Sequence, residues 1–75
     1  MRKITIRLQS INDVKEFVRI VNEYPHDVDL ASGRYVVDAK SIMGIFSLDL
    51  TRPIDVEIHN GDSAALAEKL KPFCV

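Results

Sequence analysis

Residues 38–50, with the sequence DAKSIMGIFSLDL, place a lysine and a serine directly before a run of almost wholly apolar residues. A serine in this position is typical of a helix N-cap, where its hydroxyl accepts a hydrogen bond from a backbone N–H one turn into the helix. We therefore predict a short helix that begins after Ser41. This helix has more apolar surface than a small domain can bury against a single sheet.

The predicted helix has two apolar sides, because successive residues are about 100° apart around a helix. Ile45 and Leu48 lie on one side, which we expect to face the core. The second cluster lies roughly opposite and consists of Ile42, Met43 and Phe46. An exposed cluster with a methionine and an aromatic ring is typical of a docking surface, and Lys40 would lie at its rim. The alternative is that a neighbouring loop or the first helix covers this cluster.

Alternating apolar residues on both sides of this segment predict strands at residues 3–8, 27–31, 34–38 and 54–59. Ser32-Gly33 predicts the turn of a hairpin between the second and third strands. Ser10 is a predicted N-cap for a first helix that ends at Tyr24-Pro25, because the residue before a proline avoids the α region. The apolar face of this helix consists of Ile11, Val14, Phe17, Val18 and Val21.

A last helix is expected after the turn and cap at Gly61-Asp62-Ser63, with Leu66 and Leu70 facing inward and Pro72 at its end. The element order is therefore β-α-β-β-α-β-α. Strands with one polar face favour an antiparallel sheet, and three helices can cover its apolar face. We predict an α+β fold, a two-layer open-faced sandwich, as a single domain at residues 1–75.

The composition restricts the function. Ten basic and eleven acidic residues give a formal net charge of −1, so a nucleic-acid surface, which needs clustered Lys and Arg, is not expected. No apolar stretch is long enough for a signal peptide or a membrane span. With one cysteine there is no internal disulfide, which favours a reducing, cytoplasmic location. No cofactor and no metal site is predicted.

The segment at residues 40–48, KSIMGIFSL, resembles the KSIMGVMSL-type segment of HPr, the small phosphocarrier family of the bacterial sugar phosphotransferase system. The resemblance extends without gaps to about His59, and the last turn and helix are slightly shorter than in the family. It implies an HPr-like sandwich with sheet order 1-4-2-3. It also implies a phosphorylatable Ser41 and a protein-docking patch at Ile42, Met43 and Phe46.

The chain departs from the family pattern at the start of the first helix. HPr phosphocarriers have a histidine there, an arginine two positions later and then a proline. Carried over in register, these positions hold Ser10, Asn12 and Asp13. A phosphohistidine is a reactive phosphoramidate, whereas a phosphoserine ester at Ser10 would be too stable for a phosphate relay. Ser10 therefore marks the position of a lost phosphohistidine.

The two histidines of the chain lack the context of a phosphate carrier. His26 follows Pro25 in a predicted loop, and His59 ends the last strand. Neither is expected at a helix N-terminus, and neither has an arginine two residues later. A zinc site formed by His26, His59 and Cys74 is not indicated by their spacing.

The resulting hypothesis is a non-catalytic regulatory or adaptor protein that is similar to the catabolite-repression paralogue of HPr. Its expected partners are proteins: an HPr kinase-like enzyme, a transcriptional regulator or a phosphotransferase-system protein. It would bind them at the Ser41 helix as a monomer or weak dimer, without nucleic acid or membrane. Two alternatives remain. One is a phosphocarrier that uses another residue, and the other is a divergent HPr-fold domain with an unrelated binding or oligomerisation role.

Overall fold

The computed structural model describes residues 2–75 of the chain. Its elements follow the predicted order. They are β1 (Arg2–Ile6), α1 (Ile11–Asn22), β2 (Val28–Ser32), β3 (Tyr35–Asp38), α2 (Ile42–Phe46), β4 (Ile54–Ile58) and α3 (Ser63–Lys69), followed by a 3₁₀ turn at Lys71–Phe73.

The four strands form one antiparallel sheet in the order β1-β4-β2-β3. β4 lies between β1 and β2, with Ile4 opposite Val56 and Val56 opposite Leu30. The α+β open-faced sandwich and the sheet order 1-4-2-3 are therefore confirmed.

The core lies between the apolar face of the sheet and the helices. Alternate residues of the central strands are fully buried, as the strand period of two requires. The sheet contributes Ile6, Val28, Leu30, Ile54, Val56 and Ile58. The helices contribute Val14, Phe17, Val21, Ile45 and Leu66. Within residues 2–75, no helix has the length and apolar content that a membrane span requires.

The C-terminal segment lies along the outer edge of β1. The N–H of Arg7 donates to the carbonyl of Phe73 at 2.8 Å, and the N–H of Val75 donates to the carbonyl of Thr5 at 3.2 Å. The Phe73 ring is buried edge-on against Phe17, with ring centroids 6.2 Å apart and an interplanar angle of 82°. β1 is thus flanked by β4 on one side and by the C-terminal segment on the other.

Two features of the first half differ from the predictions. β1 ends at Ile6, so Leu8 is not a strand residue, although its side chain is buried in the core. Ile11 was expected on the inward face of α1, but it is 63% exposed. It lies at the margin of the apolar stripe, whose fully buried centre consists of Val14, Phe17 and Val21.

Candidate functional site

Ser10 is the N-cap of α1, as predicted. Its backbone is extended, with φ −142° and ψ 165°. Its hydroxyl oxygen accepts from the Asp13 N–H at 3.1 Å, and the Asp13 carboxylate accepts from the Gln9 N–H at 3.0 Å. The cap therefore satisfies the Asp13 N–H, which a helix start leaves unpaired, and the Asp13 side chain also fixes the residue before the cap. The hydroxyl of Ser10 is a structural acceptor at an exposed position.

Ser41 caps α2 in the same way. Its side chain is half-buried, and its Oγ accepts from the Gly44 N–H at 3.1 Å. α2 lies close to β3, because a Cβ built on Gly44 would be 3.4 Å from Ser41 Oγ and 3.4 Å from Val37 Cβ. The predicted helix start at Ser41 is confirmed.

The two predicted sides of α2 differ in exposure as expected, with one correction. Ile45 is fully buried and Leu48 is 9% exposed, whereas Met43 is 78% exposed and Phe46 is 43% exposed. Ile42, predicted in the exposed cluster, is half-buried and packs against the core. The exposed part of the cluster is Met43 and Phe46.

An open groove of about 580 Å³ lies between the loop before α1 and the segment after α2. Ser10 and Ile11 line one side, and Phe46 and Leu50 line the other. The cap residue of α1 and the exposed ring of Phe46 on α2 therefore share one surface. We call the groove with its exposed neighbours Ile11, Met43 and Phe46 the α1–α2 face.

Lys40 does not lie free at the rim of this face. Its Nζ donates to the backbone carbonyl of Tyr24 at 2.6 Å, just beyond the C-terminal end of α1. An ammonium group near the last carbonyls of a helix is favourable. This hydrogen bond joins the residue before the α2 cap to the segment that follows α1.

Asp49 supplies a fixed negative charge to the groove. Its Oδ1 accepts from the Thr51 hydroxyl at 2.6 Å and from the Thr51 N–H at 3.1 Å. The hydroxyl hydrogen bond, the N–H and then the charge of Arg52 hold the pKa of Asp49 below its ordinary value, although the side chain is exposed. The Thr51 carbonyl in turn accepts from Arg7 at 3.2 Å.

Neither histidine lines the groove. His26 packs edge-on against Tyr24, with ring centroids 5.6 Å apart. His59 has its Nε2 3.0 Å from Asp29 Oδ2 on the opposite face of the sheet. Among residues 2–75, the groove contains serine and threonine hydroxyls and neither histidine nor cysteine. The groove offers both apolar and hydrogen-bonding contacts to a partner, but no side chain in it is a strong nucleophile.

The sequence did not indicate that Ile11 and Leu50 belong to this face. Ile11 follows the cap residue Ser10 directly, and an apolar residue in that position is a weak signal of exposure. Leu50 lies after α2, and its proximity to Ser10 depends on how two distant loops meet.

Comparison with known proteins gives a consistent result. The family model described as the PTS HPr component phosphorylation site matches residues 11–74, which excludes Ser10. No curated protein shows significant sequence similarity to the chain. The structure of HPr-C-His from Thermoanaerobacter tengcongensis is similar, with a TM-score of 0.83 and 22% identity over 96% of this chain and 89% of that chain. A phosphocarrier protein HPr from Bacillus anthracis str. Ames has a TM-score of 0.75 and 24% identity over 99% of this chain and 94% of that one. Because the family model covers most of its length, the chain belongs to the HPr family.

Proposed function

We propose that this HPr-family chain binds protein partners through the α1–α2 face and does not carry phosphate on residue 10. The observation that supports this proposal is the groove shared by Ser10 and Phe46, with the exposed side chains of Ile11 and Met43 beside it. Exposed apolar side chains that lie together on a small domain commonly mark a protein interface. Methionine and aromatic residues are enriched in such interfaces.

The chemistry at Ser10 argues against a relay. Its hydroxyl accepts a hydrogen bond from Asp13, and the Asp13 carboxylate lies one turn into α1. A phosphoryl group at Ser10 would meet the negative charge of this carboxylate. It would also be held as an ester, which does not pass phosphate on as a phosphoramidate does.

We further propose Ser41 as a regulatory phosphorylation site. Its Oγ lies at the N-terminus of α2, where backbone N–H groups favour an anion. A phosphoryl group there would add about two negative charges beside Met43 and would change which partner can bind. Lys40 would have to leave the Tyr24 carbonyl to pair with it, so phosphorylation would also loosen the contact between α1 and α2.

The direct test is incubation with an HPr kinase and ATP, followed by intact-mass measurement. We expect the gain of one phosphate in the natural chain and in Ser10→Ala, and no gain in Ser41→Ala. Ser10→Ala is the matched control because it removes the other helix-capping serine. A natural chain that stays unmodified, or a Ser41→Ala variant that gains phosphate, would remove Ser41 from the proposal.

A phosphocarrier that uses another residue is the second candidate, favoured by the family itself. Incubation with phosphoenolpyruvate and the phosphotransferase Enzyme I distinguishes the two. We expect no acid-labile phosphate on the natural chain. Ser10→His combined with Asn12→Arg should gain it if the α1–α2 face still docks Enzyme I. An acid-labile phosphate on the natural chain would establish the carrier function instead.

The third candidate is a divergent domain that uses the α1–α2 face for self-association. Sedimentation at micromolar concentration tests it. A monomer that is phosphorylated at Ser41 supports the regulatory proposal, whereas an unmodified chain that dimerises, and that Phe46→Asp returns to monomers, supports self-association.

A further inference from the structure

The face of the sheet that points away from the helices brings together three side chains with metal-binding atoms. Glu57 is in β4 and His59 directly follows the last residue of that strand, so continued alternation points both side chains to the same face. Asp29 of β2 lies directly opposite Glu57 across the two central strands. Two candidate ligands that are two residues apart and a third from the neighbouring strand therefore form a tripod on the surface of the sheet.

The three candidate ligand atoms are close enough for small side-chain movements to bring them to one cation. One carboxylate oxygen of Asp29, one of Glu57 and one ring nitrogen of His59 all lie within 4.8 Å of one another. Within this group, His59 Nε2 is 3.0 Å from Asp29 Oδ2. The Asp29 and His59 side chains are each 35% exposed and that of Glu57 is 20% exposed, so a hydrated ion can reach all three.

The charges around the three side chains favour a cation. Carboxylates directly opposite each other on neighbouring strands repel, and Asp29 has Glu57 on one side and Asp38 of β3 on the other. Lys3 of β1 lies opposite Glu57, with its Nζ 3.8 Å from Glu57 Oε2 and half of its side chain in solvent. The described side chains that face one another across the four strands are Lys3, Glu57, Asp29 and Asp38. Among these four, Lys3 carries the one permanent positive charge, beside three carboxylates.

We propose that Asp29, Glu57 and His59 bind a divalent transition-metal ion of the zinc type, with water in the remaining coordination positions. Carboxylates alone suit magnesium or calcium, but an imidazole nitrogen favours zinc and its neighbours. The hydrogen bond to Asp29 and the metal would use the same nitrogen, Nε2. Metal binding therefore replaces that hydrogen bond, with the ring proton on Nδ1.

The proposed ion would tie the two central strands together from the side that the helices leave open. It is independent of the α1–α2 face, because the three ligands lie on the opposite face of the sheet from the groove. Binding to the folded state alone raises stability as the ion concentration exceeds the dissociation constant. A zinc-dependent rise in Tm is therefore expected for the natural chain.

The test uses the untagged chain and zinc chloride, followed by calorimetry and thermal unfolding. We expect saturable binding of one ion per chain. His59→Ala, Glu57→Gln and Asp29→Asn should each weaken it at least about tenfold, since loss of even an outer-shell partner commonly costs that much. Lys3→Gln should strengthen binding, because the lysine competes for Glu57.

His26→Ala and Cys74→Ser are the matched controls, since they remove the other histidine and the thiol. Both should bind zinc as the natural chain does. The proposal is overturned if no saturable binding occurs at millimolar zinc, if His59→Ala binds unchanged, or if either control loses the ion. Circular dichroism of each variant checks that the fold is intact. The phosphorylation test of Ser41 concerns the α1–α2 face, so its result does not affect the zinc-binding test.

Discussion

Asp49 shows how one exposed side chain can acquire a fixed charge through its neighbours. Its pKa lies below the ordinary value because Thr51 donates two hydrogen bonds to the carboxylate. The charged form is thus favoured in the folded state. The resulting stabilisation is present above the unfolded pKa of about 3.9 and is lost as the pH falls through the lower, folded pKa.

We predict that Thr51→Val moves the Asp49 titration midpoint upward, because the hydroxyl donor is the largest cause of the shift. NMR titration of the carboxyl carbon between pH 2 and about 6 measures this directly. Arg52→Gln is the comparison, and it should move the midpoint less, since Arg52 is the smallest cause and is mostly exposed. An unchanged midpoint in Thr51→Val would contradict the assignment.

Two glycines have a positive φ, but an added side chain would clash with neighbouring atoms at only one of them. Gly33, in the β2–β3 turn, has φ +59° and open space where a Cβ would lie. Gly61 has φ +80°, and its Cβ would lie 2.6 Å from the Tyr24 hydroxyl oxygen and even closer to the His26 ring. Gly33→Ala should lose about 1–2 kcal/mol, the cost of a left-handed backbone, and Gly61→Ala should lose clearly more. Urea unfolding measures both, and equal losses would show that the Tyr24–His26 pair moves aside freely.

At the scale of one element, adjacent residues of α2 differ in burial. Ile45 is fully buried, whereas Phe46 is partly exposed on the α1–α2 face. Ile45→Ala should therefore lower the free energy of unfolding by about 2–5 kcal/mol. Phe46→Asp should lower it by less than Ile45→Ala does, because 43% of Phe46 is already in solvent, while reducing partner binding. Denaturant unfolding measures the pair, and a larger loss in Phe46→Asp than in Ile45→Ala would place Phe46 in the core.

The elements themselves were predictable because their hydrophobic periods are clear. Alternation in β4 and helical spacing in α1 each identify one buried face, and serine caps identify the helix starts. The errors lie at the element ends. Leu8, Ile11 and Ile42 each fall within two residues of a boundary, where the local period no longer fixes which side is covered.

Much of the candidate site could not be predicted from local pattern. The groove joins Ser10 to Phe46 across two loops that are distant in sequence. Hydrophobic periodicity within each element does not indicate how close these two loops lie in space. The tripod of Asp29, Glu57 and His59 depends on the register of β2 against β4. Alternation does place Asp29 on the face away from Val28 and Leu30, because a shift of one residue would expose those two side chains. It does not fix which residue of β4 lies opposite Asp29.

At the scale of the whole molecule, the C-terminal segment completes the core. Phe73 is buried against Phe17, and its carbonyl accepts from the Arg7 N–H beside β1. Phe73→Ala should lower the free energy of unfolding by about 3–5 kcal/mol, a large part of the roughly 5–15 kcal/mol of a typical domain. Val75→Ala is the matched control, because its side chain is 71% exposed and its N–H is retained. Urea unfolding distinguishes them, and similar losses would show that Phe73 acts only through its backbone.

The sheet order also determines at what stage of synthesis each strand can pair with its neighbour. The β2–β3 hairpin closes over two residues, whereas Thr5 of β1 pairs with Asp55 of β4, 50 positions later. During synthesis, β1 therefore stays without its sheet partner until β4 has been made. Such non-local pairing slows folding relative to helical bundles of the same length, because the loop must close before its contacts form. Because β4 pairs with both β1 and β2, neither of these two pairings can form before β4 has been synthesised.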